Sequence, residues 1–362
     1  MNPFATTFEL TLSRNYVSAW GMVQAVRELI QNALDSESPF IYEFEREESG
    51  NYALRLNSQF TTLSPQTLLL GTTTKANVAD AIGSFGEGYK LAILVLTRLG
   101  YDLEIINGPV LWKPRFRFSR KFNDELLVID EGGLEYKSQG LTFVVHSLDE
   151  QDKESIEASC LLMQDNIGQI KSTQFGDILF DRAGKLYVGG LYVCETEMRY
   201  GYNVKPAYMT LERDRQTVSY WDLREVALKM WFETGETELI AQMIFEDVPD
   251  VQHARYDCPE IVKEECYRLF REQHPGALVA ENPKQLKDMI AAGMTKTIVV
   301  GGGMYAAVSS APSYRAAVPM AARVTPTAIL SIWLSRNRSE MRRKAIEDFK
   351  VLIADSRSWE LK

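Results

Sequence analysis

A chain of 362 residues has enough material for two or three domains with apolar cores, and 45% hydrophobic and 25% charged residues are ordinary for a soluble globular protein. The net charge of −9 argues against a broad surface for nucleic acid, although a local basic patch could lie within it. No apolar run reaches the roughly 18 residues of a membrane helix, and no charged-then-apolar leader opens the chain. We therefore expect a cytoplasmic protein without a membrane partner.

The cysteines and histidines do not predict a metal site. Cys258 and Cys266 are eight residues apart, which differs from the spacing of a zinc pair, and only three histidines accompany the four cysteines. We expect free thiols in a reducing compartment. The residues are Cys160, Cys194, Cys258, Cys266, His146, His253 and His274.

The first part of the chain predicts a strand, a helix and a hairpin. Apolar residues alternate through Phe8 and Leu12, which indicates a strand that is either an edge of its own sheet or reaches a neighbouring copy. A helix is expected over Tyr16–Asp35, where Pro39 follows as a stop. The predicted strands of this part are Ile41–Arg46, Tyr52–Leu56, Tyr101–Ile106, Arg115–Ser119, Leu126–Ile129 and Leu141–His146. This order predicts an α/β sandwich with helices on one face of a mixed sheet.

The helix carries a polar line. Glu28, Asn32 and Asp35 stand at i, i+4 and i+7 and share one helix face. Near a core, an acid could order a water, the amide oxygen could hold a metal, and the second carboxylate could support that arrangement. The alternative is an ordinary solvated helix face.

A glycine-rich loop follows the hairpin. The polar stretch from Gly71 to Ser84 is either a surface loop or a lid that closes over a ligand. It leads into GSFGEGYK and then a helix that ends at Gly100. Glycines before a helix let the backbone approach a bound anion. The loop lacks the Walker ending, and no strand precedes it as a dinucleotide fingerprint requires.

Together, the two motifs resemble those of the GHKL ATPases, which include the ninety-kilodalton heat-shock chaperones, the ATPase subunit of DNA gyrase, and the MutL and MORC proteins. ELIQNALD resembles their N-box, and GSFGEGYK resembles their glycine-rich lid box. The resemblance implies a Bergerat-type nucleotide domain that uses ATP and Mg²⁺. It makes Glu28 the general base, Asn32 the ligand of Mg²⁺, and Asp35 a supporting residue.

The resemblance also assigns the phosphate contacts. Gly83, Gly86 and Gly88 would cradle the phosphates, with Lys75 and Lys90 as charge partners, and residues 71–84 would form the lid. Nucleotide contacts are thereby expected along the whole loop: Gly83, Ser84, Phe85, Gly86, Glu87, Gly88, Tyr89 and Lys90.

Two departures concern the base pocket. The family usually carries D-x-G-x-G after the second strand, whereas this chain has Asn57-Ser-Gln-Phe60. The oxygen of Asn57 could still accept a hydrogen bond from the adenine amino group, without the negative charge. The later strand often opens with Gly-Thr in the family. Here Leu141 stands in the place of that Thr, and Thr142 is the expected substitute.

The middle of the chain carries weaker signals. The charged stretch 150–157 marks a boundary, and Lys185–Val188 and Leu191–Val193 predict a hairpin at two glycines. The order of this hairpin, an Arg-bearing loop and a helix near Trp221 resembles the segment after the ATPase domain in the chaperones. Lys205, Arg213 and Arg215 are therefore candidates for reaching the terminal phosphate; basic residues of a surface loop are the equal alternative.

The last hundred residues resemble nothing that the motifs identify. A helix is expected over Glu260–Glu272, followed by a small β-α-β unit. We expect Gly301–Gly303 to be a flexible turn, Pro312–Pro326 a loop or linker, and Ser335–Ala354 a single helix. Its basic residues form either a solvated face or a patch for nucleic acid or an acidic partner. These residues are Arg336, Arg338, Arg342, Arg343 and Lys344.

The sequence thus predicts three domains: a GHKL-type ATPase domain over 1–155, a second α/β domain over 156–255, and an α/β and helical extension over 256–362. The expected activity is slow, Mg²⁺-dependent ATP hydrolysis, coupled to lid closure and formation of a homodimer. The alternatives are a nucleotide-binding switch with little hydrolysis and a scaffold that has lost nucleotide binding. The process that the cycle drives and any protein partner are not indicated. A histidine kinase is disfavoured because no helix before the N-box offers a phosphoacceptor histidine.

Overall fold

The computed structural model divides the chain into two compact units. The first comprises Met1–Ile170, Gly176–Thr196 and Gly201–Val218, and the second comprises the remaining residues. The predicted three-domain division stays a prediction. The structure describes residues 4–36, 38–68, 88–134, 138–211, 218–291, 294, 296–317 and 326–356.

The first unit is built on a seven-stranded sheet. Its strand order is β1-β6-β5-β4-β7-β3-β2, and every neighbouring pair is antiparallel, so the expectation of a mixed sheet is wrong for this sheet. The N-terminal strand is an edge of its own sheet, where Phe8 pairs with Ile129. The strands are β1 (Phe4–Ser13), β2 (Ile41–Arg46), β3 (Tyr52–Ser58), β4 (Leu103–Asn107), β5 (Val110–Ser119), β6 (Asp124–Gly133) and β7 (Leu141–Leu148).

Helices cover one face of this sheet, as expected. They are α1 (Met22–Leu34), α2 (Gly88–Leu99) and α3 (Glu150–Ala158). Val26 and Ile30 of α1 share one buried apolar cluster with Leu54, Leu56 and Phe143 of the sheet. Because successive strand residues point to opposite faces, the intervening residues lie on the other face. That face carries ion pairs such as the one between Arg117 and Glu9, and only a small apolar cluster.

Helix α1 begins later than its sequence pattern predicts. Val17 has φ of 49°, in the left-handed region that a β-branched residue rarely adopts, and the chain turns there. Arg98, in the last turn of α2, uses its guanidinium to donate hydrogen bonds to carbonyl oxygens of this turn. Those carbonyls are thereby satisfied without a helix, and α1 starts only after Gly21. The acceptors are Arg14, Tyr16, Val17 and Trp20, at 2.9–3.4 Å.

A second sheet of the first unit contains the predicted glycine hairpin. In the order β11-β10-β12-β9, β10 and β11 pair antiparallel, whereas β10 and β12 are parallel. Gly189 and Gly190 both have positive φ, as a tight hairpin turn requires. The strands are β8 (Ile170–Thr173), which spans the boundary between the units, β9 (Gly176–Leu179), β10 (Lys185–Val188), β11 (Leu191–Glu195) and β12 (Gly201–Val204).

The second unit is mostly helical. Among the described residues, the two strands that lie wholly in this unit are parallel and joined by a helix, which confirms the predicted β-α-β unit. Among its described helices, none is both long and apolar enough to cross a lipid bilayer, and the same holds for those of the first unit. The elements are α4 (Tyr220–Thr234), α5 (Thr237–Phe245), α6 (Glu260–Gln273), β13 (Leu278–Ala280), α7 (Pro283–Ala291), β14 (Thr297–Val299), α8 (Gly302–Ser310), α9 (Pro312–Ala317), α10 (Pro326–Asn337) and α11 (Arg343–Ser356).

Three expectations for the last hundred residues are wrong. The triple glycine opens helix α8, and the carboxylate of Asp247 lies near Gly301, where negative charge stabilises a helix N-terminus. Within the expected loop over Pro312–Pro326, residues 312–317 form α9, which starts at a proline that needs no hydrogen-bonded N–H in the first turn, and residues 318–325 lie outside the described ones. The expected single helix over Ser335–Ala354 is broken between α10 and α11, because the fold-back lets Trp333 stack on Phe349.

The turn before β7 generates a prediction about stability. Gly140 has φ of +81°, and a Cβ there would lie 2.5 Å from the carbonyl oxygen of Ser58, whereas Gly50 has φ of +90° in open space. Gly50→Ala should cost about 1 kcal/mol through backbone strain alone. Gly140→Ala should cost at least about 2 kcal/mol more, because the rigid backbone cannot move aside. Equal losses in urea unfolding of the two variants would contradict the described turn.

The outer face of the sheet generates a prediction about pH. Asp130 accepts hydrogen bonds from Arg115 and Thr7, and the bond from Arg115 is the main cause that lowers its pKa, against the effect of burial. The stability from this lowered pKa is present above pH about 4 and is lost as the pH falls further. Asp130→Asn should reduce the free energy of unfolding by about 1 kcal/mol at pH 7 and by less at pH 3.

The control is Glu48→Gln, which changes an exposed carboxylate. It should leave the unfolding free energy nearly unchanged at both pH values. A loss for Asp130→Asn that does not shrink at low pH would show that the charge of Asp130 is not what stabilises the pairing of β1 with β6.

Candidate functional site

The two sequence motifs meet in the helical layer of the first unit. The ELIQNALD motif lies on α1, with Asp35 as its cap, and the last residues of the glycine-rich loop form the first turn of α2. These two helices pack against each other on the same face of the sheet. The fold thus brings the acid-and-amide helix beside the helix that follows the glycines.

Glu28 is fully buried on α1. Its neighbours in sequence, Arg27 and Gln31, are also buried, so the solvated-face interpretation is wrong for this part of the helix. Taking a carboxylate out of water costs several kcal/mol unless the surroundings compensate for it. A glutamate at such a position therefore has a structural or chemical role that outweighs this cost.

Asn32 and Asp35 continue the line toward the end of α1. The side-chain nitrogen of Asn32 donates to the carbonyl oxygen of Glu28 at 2.6 Å, one turn earlier. This bond fixes the orientation of the amide, so Oδ1 is the atom that Asn32 presents as a ligand donor. Asp35 is the C-terminal cap of α1, and its backbone N–H donates to the carbonyl of Gln31 at 2.9 Å. Both side chains are half-buried.

The start of α2 supplies positive charge. Lys90 is fully buried, and its ammonium lies 5.6 Å from the centre of the Tyr89 ring. The hydroxyl of Tyr89 donates to the carbonyl of Thr67 at 2.5 Å, and burial raises the pKa of Tyr89. The first backbone N–H groups of α2, beginning at Gly88, have no partner within the helix, which suits an anion.

Several predicted contacts fall outside the residues that the structure describes. They belong to the predicted lid, to most of the glycine-rich loop and to the later loop with the two arginines. These residues are Lys75, Gly83, Ser84, Phe85, Gly86, Glu87, Arg213 and Arg215.

Asn57 and Thr142 are brought together, but not beside α1. They are paired across β3 and β7, and the side-chain nitrogen of Asn57 donates to Oγ1 of Thr142 at 3.1 Å. Alternation along the strands places them on the face of Ile106 and Val144, opposite the helices. Oδ1 of Asn57 is buried and makes no hydrogen bond with the described residues.

Ser58 and Leu141 occupy the corresponding positions on the helix side. They form the next pair of the same ladder, and both are buried. The sequence interpretation overlooked Ser58. The signal was present, because Leu54 and Leu56 fix which residues of β3 face the core, and Ser58 continues their alternation whereas Asn57 does not.

The second sheet of the first unit contacts helix α1. Arg27 donates to the carbonyl oxygen of Tyr192 in β11 at 2.8 Å. A small cavity between α1 and the β10–β11 hairpin is lined by Arg27, Gln31 and Leu211 among others. Leu211 directly precedes the segment with the two candidate arginines. Lys205 follows β12, and its side chain is exposed.

Among the described residues, His146 and the acidic side chains around it are engaged in pair contacts. Nδ1 of His146 lies 2.8 Å from a carboxylate oxygen of Glu47. The neighbouring acids Asp102 and Glu104 already hold the ammonium of Lys113, at 3.0 and 2.8 Å.

The cysteines are free, as expected, and none has the properties of a nucleophile. Burial raises the pKa of the Cys258 thiol to about 11 and raises that of Cys266 as well. Such thiols stay protonated and unreactive at neutral pH.

Comparisons with known proteins add no family. No protein-family model matches the chain, and no curated protein matches its sequence.

Proposed function

We propose that the first unit binds ATP with Mg²⁺ between α1 and the start of α2 and hydrolyses it slowly. The observation that carries the proposal is the buried Glu28 on a helix that packs beside the helix following the glycine-rich loop. Lid closure by residues 71–84 and ATP-driven formation of a homodimer, which the sequence resemblance implies, belong to the same proposal.

The chain's own residues divide the chemistry between them. Glu28 accepts the proton of the water that attacks the terminal phosphate, which requires a carboxylate within hydrogen-bonding reach of that water. Lys90 and the N-terminal amides of α2 stabilise the negative charge of the phosphates. Oδ1 of Asn32 is a suitable donor for Mg²⁺, which prefers oxygen ligands and supplies further charge neutralisation when bound.

The base pocket in this proposal differs from the one that the motifs alone suggest. Ser58 and Leu141 lie on the helix side of the sheet, so they, and not Asn57 and Thr142, face the region of α1. A serine hydroxyl can accept a hydrogen bond from the adenine amino group, although without the charge of the usual aspartate.

A second candidate function is a nucleotide-binding switch that hydrolyses little. Neither position 57 nor position 58 carries a carboxylate that could bind the adenine amino group. This favours the switch, because a switch tolerates weaker discrimination between adenine and other nucleobases. Affinity and turnover measured on the same sample separate the two candidates.

The first prediction of the proposal concerns Glu28→Gln, which keeps the shape of the side chain and removes the base. Phosphate release should fall at least about 100-fold, the range for loss of a general base, while the Kd for Mg-ATP changes little. The control is Glu43→Gln, an exposed glutamate on the opposite face of the sheet, which should keep full turnover. Unchanged turnover in a folded Glu28→Gln protein would remove Glu28 from the mechanism.

A second prediction uses two adjacent positions of β3 that face opposite sides of the sheet. Ser58→Leu should weaken ATP binding about tenfold or more, because the larger leucine side chain would occupy the space proposed for the adenine on the helix side of the sheet. Asn57→Leu, the matched control, should leave the Kd within about threefold. Isothermal titration of both folded variants checks this, and the reverse order of effects would assign the base pocket to Asn57.

A further inference from the structure

Two acids and a histidine lie together on the face of the seven-stranded sheet that is opposite the helices. Leu103 and Ile105 of β4 point into the apolar cluster under the helices, so Asp102 and Glu104 point to the other face. His146 of β7 lies beside Asp102, because its backbone N–H donates to the carbonyl oxygen of Asp102 at 2.9 Å. One ligand atom from each of the three side chains lies within 4.8 Å of the other two. Two neighbouring strands thus bring three metal-binding side chains to one place.

Glu47 orients the histidine ring. Nδ1 of His146 lies 2.8 Å from Oε1 of Glu47, and the backbone N–H of Ser147 donates to Oε2 of the same carboxylate at 3.3 Å. A carboxylate only accepts hydrogen bonds, so Nδ1 carries the proton, and in the neutral ring Nε2 carries the lone pair. A carboxylate behind a metal-binding histidine fixes the ring and raises its basicity in the same way.

Nε2 of His146 is the atom that points to a ligand. It is shielded from solvent and makes no hydrogen bond with the described residues. A carboxylate oxygen of Glu104 lies 3.8 Å away, which is too far for a hydrogen bond. A buried lone pair without a partner costs free energy, and a bound cation would remove that cost. The carboxylates of Asp102 and Glu104 are further ligands for the same cation.

The ammonium of Lys113 now neutralises part of this charge. Its Nζ lies 3.0 Å from Asp102 and 2.8 Å from Glu104. With Glu47, three carboxylates surround one ammonium, which leaves two negative charges unbalanced when His146 is neutral. An ammonium holds carboxylate oxygens at about 2.7–2.9 Å, whereas zinc holds them at about 2.0–2.2 Å. A metal in place of the ammonium would therefore draw the ligand atoms closer together. The side chain of Asp102 is 62% exposed and has room for this movement.

We propose that Asp102, Glu104 and Nε2 of His146 bind Zn²⁺ or a similar divalent transition metal, with Lys113 displaced toward solvent. Glu47 is the positioning residue behind the ring. One imidazole nitrogen with two carboxylate oxygens suits Zn²⁺ better than Mg²⁺, which takes oxygen ligands. The metal joins β4, the middle strand of the sheet, to β7. The inference does not rest on the proposed ATP site, which lies on the opposite face of the sheet.

The test is isothermal titration of the full chain with Zn²⁺, without nucleotide or Mg²⁺. A single Zn²⁺ should bind, and Lys113→Met should tighten its binding about tenfold, because the competing ammonium is gone. His146→Gln, which can still donate to Glu47, should weaken binding at least about 100-fold, more than the loss of a supporting residue costs. The matched control is His274→Gln at the C-terminal cap of α6, which should not change the Kd. Circular dichroism checks that each variant is folded.

Two further variants separate this site from other metal sites. Glu47→Gln should weaken Zn²⁺ binding about tenfold, as expected for a residue that orients a ligand. Glu28→Gln, in the proposed nucleotide site, should leave Zn²⁺ binding unchanged. The absorption spectrum with Co²⁺ should lack a thiolate band, which excludes the free cysteines as ligands. The proposal would be overturned if neither the intact chain nor Lys113→Met bound Zn²⁺ saturably, if His146→Gln bound it as tightly as the intact chain, if Glu28→Gln abolished binding, or if a thiolate band appeared.

Discussion

The proposed site depends on one costly feature, the burial of the Glu28 carboxylate within the helical layer. A charged side chain is placed there only at a considerable loss of hydration. Lys90 is buried on the adjacent helix α2, so the same layer also contains a fully buried cation. Buried ionisable side chains on adjacent helices are common in sites that handle a charged substrate.

The antiparallel sheet determines which residues can take part in such a site. Its alternation separates an apolar face under the helices from a face rich in ion pairs. Ser58 and Leu141 therefore belong to the helical side, and Asn57 and Thr142 to the other. The tight approach of Gly140 to the backbone of Ser58 fixes this register at the end of β3 and β7.

Sequence patterns predicted the elements that local chemistry specifies. The hairpins at Gly50 and at Gly189-Gly190, the helix near Trp221 and the β-α-β unit were all found from turn residues and apolar periodicity. The start of α1 was missed because Arg98, distant in sequence, satisfies the carbonyls before it. The break between α10 and α11 depends on a ring contact between helices, which no local pattern contains. For the candidate site, the sequence motifs predicted which residues of α1 and of the start of α2 belong to it. The face of the sheet on which Asn57 lies could be assigned only from the strand register.

The most direct measurement is a crystal structure of the chain with Mg²⁺ and a non-hydrolysable ATP analogue. We expect the terminal phosphate to lie beside Glu28 and Asn32, at the N-terminus of α2, with the adenine on the Ser58 side of the sheet. An analogue bound at another place, or a space between α1 and α2 that side chains fill completely under saturating nucleotide, would contradict it.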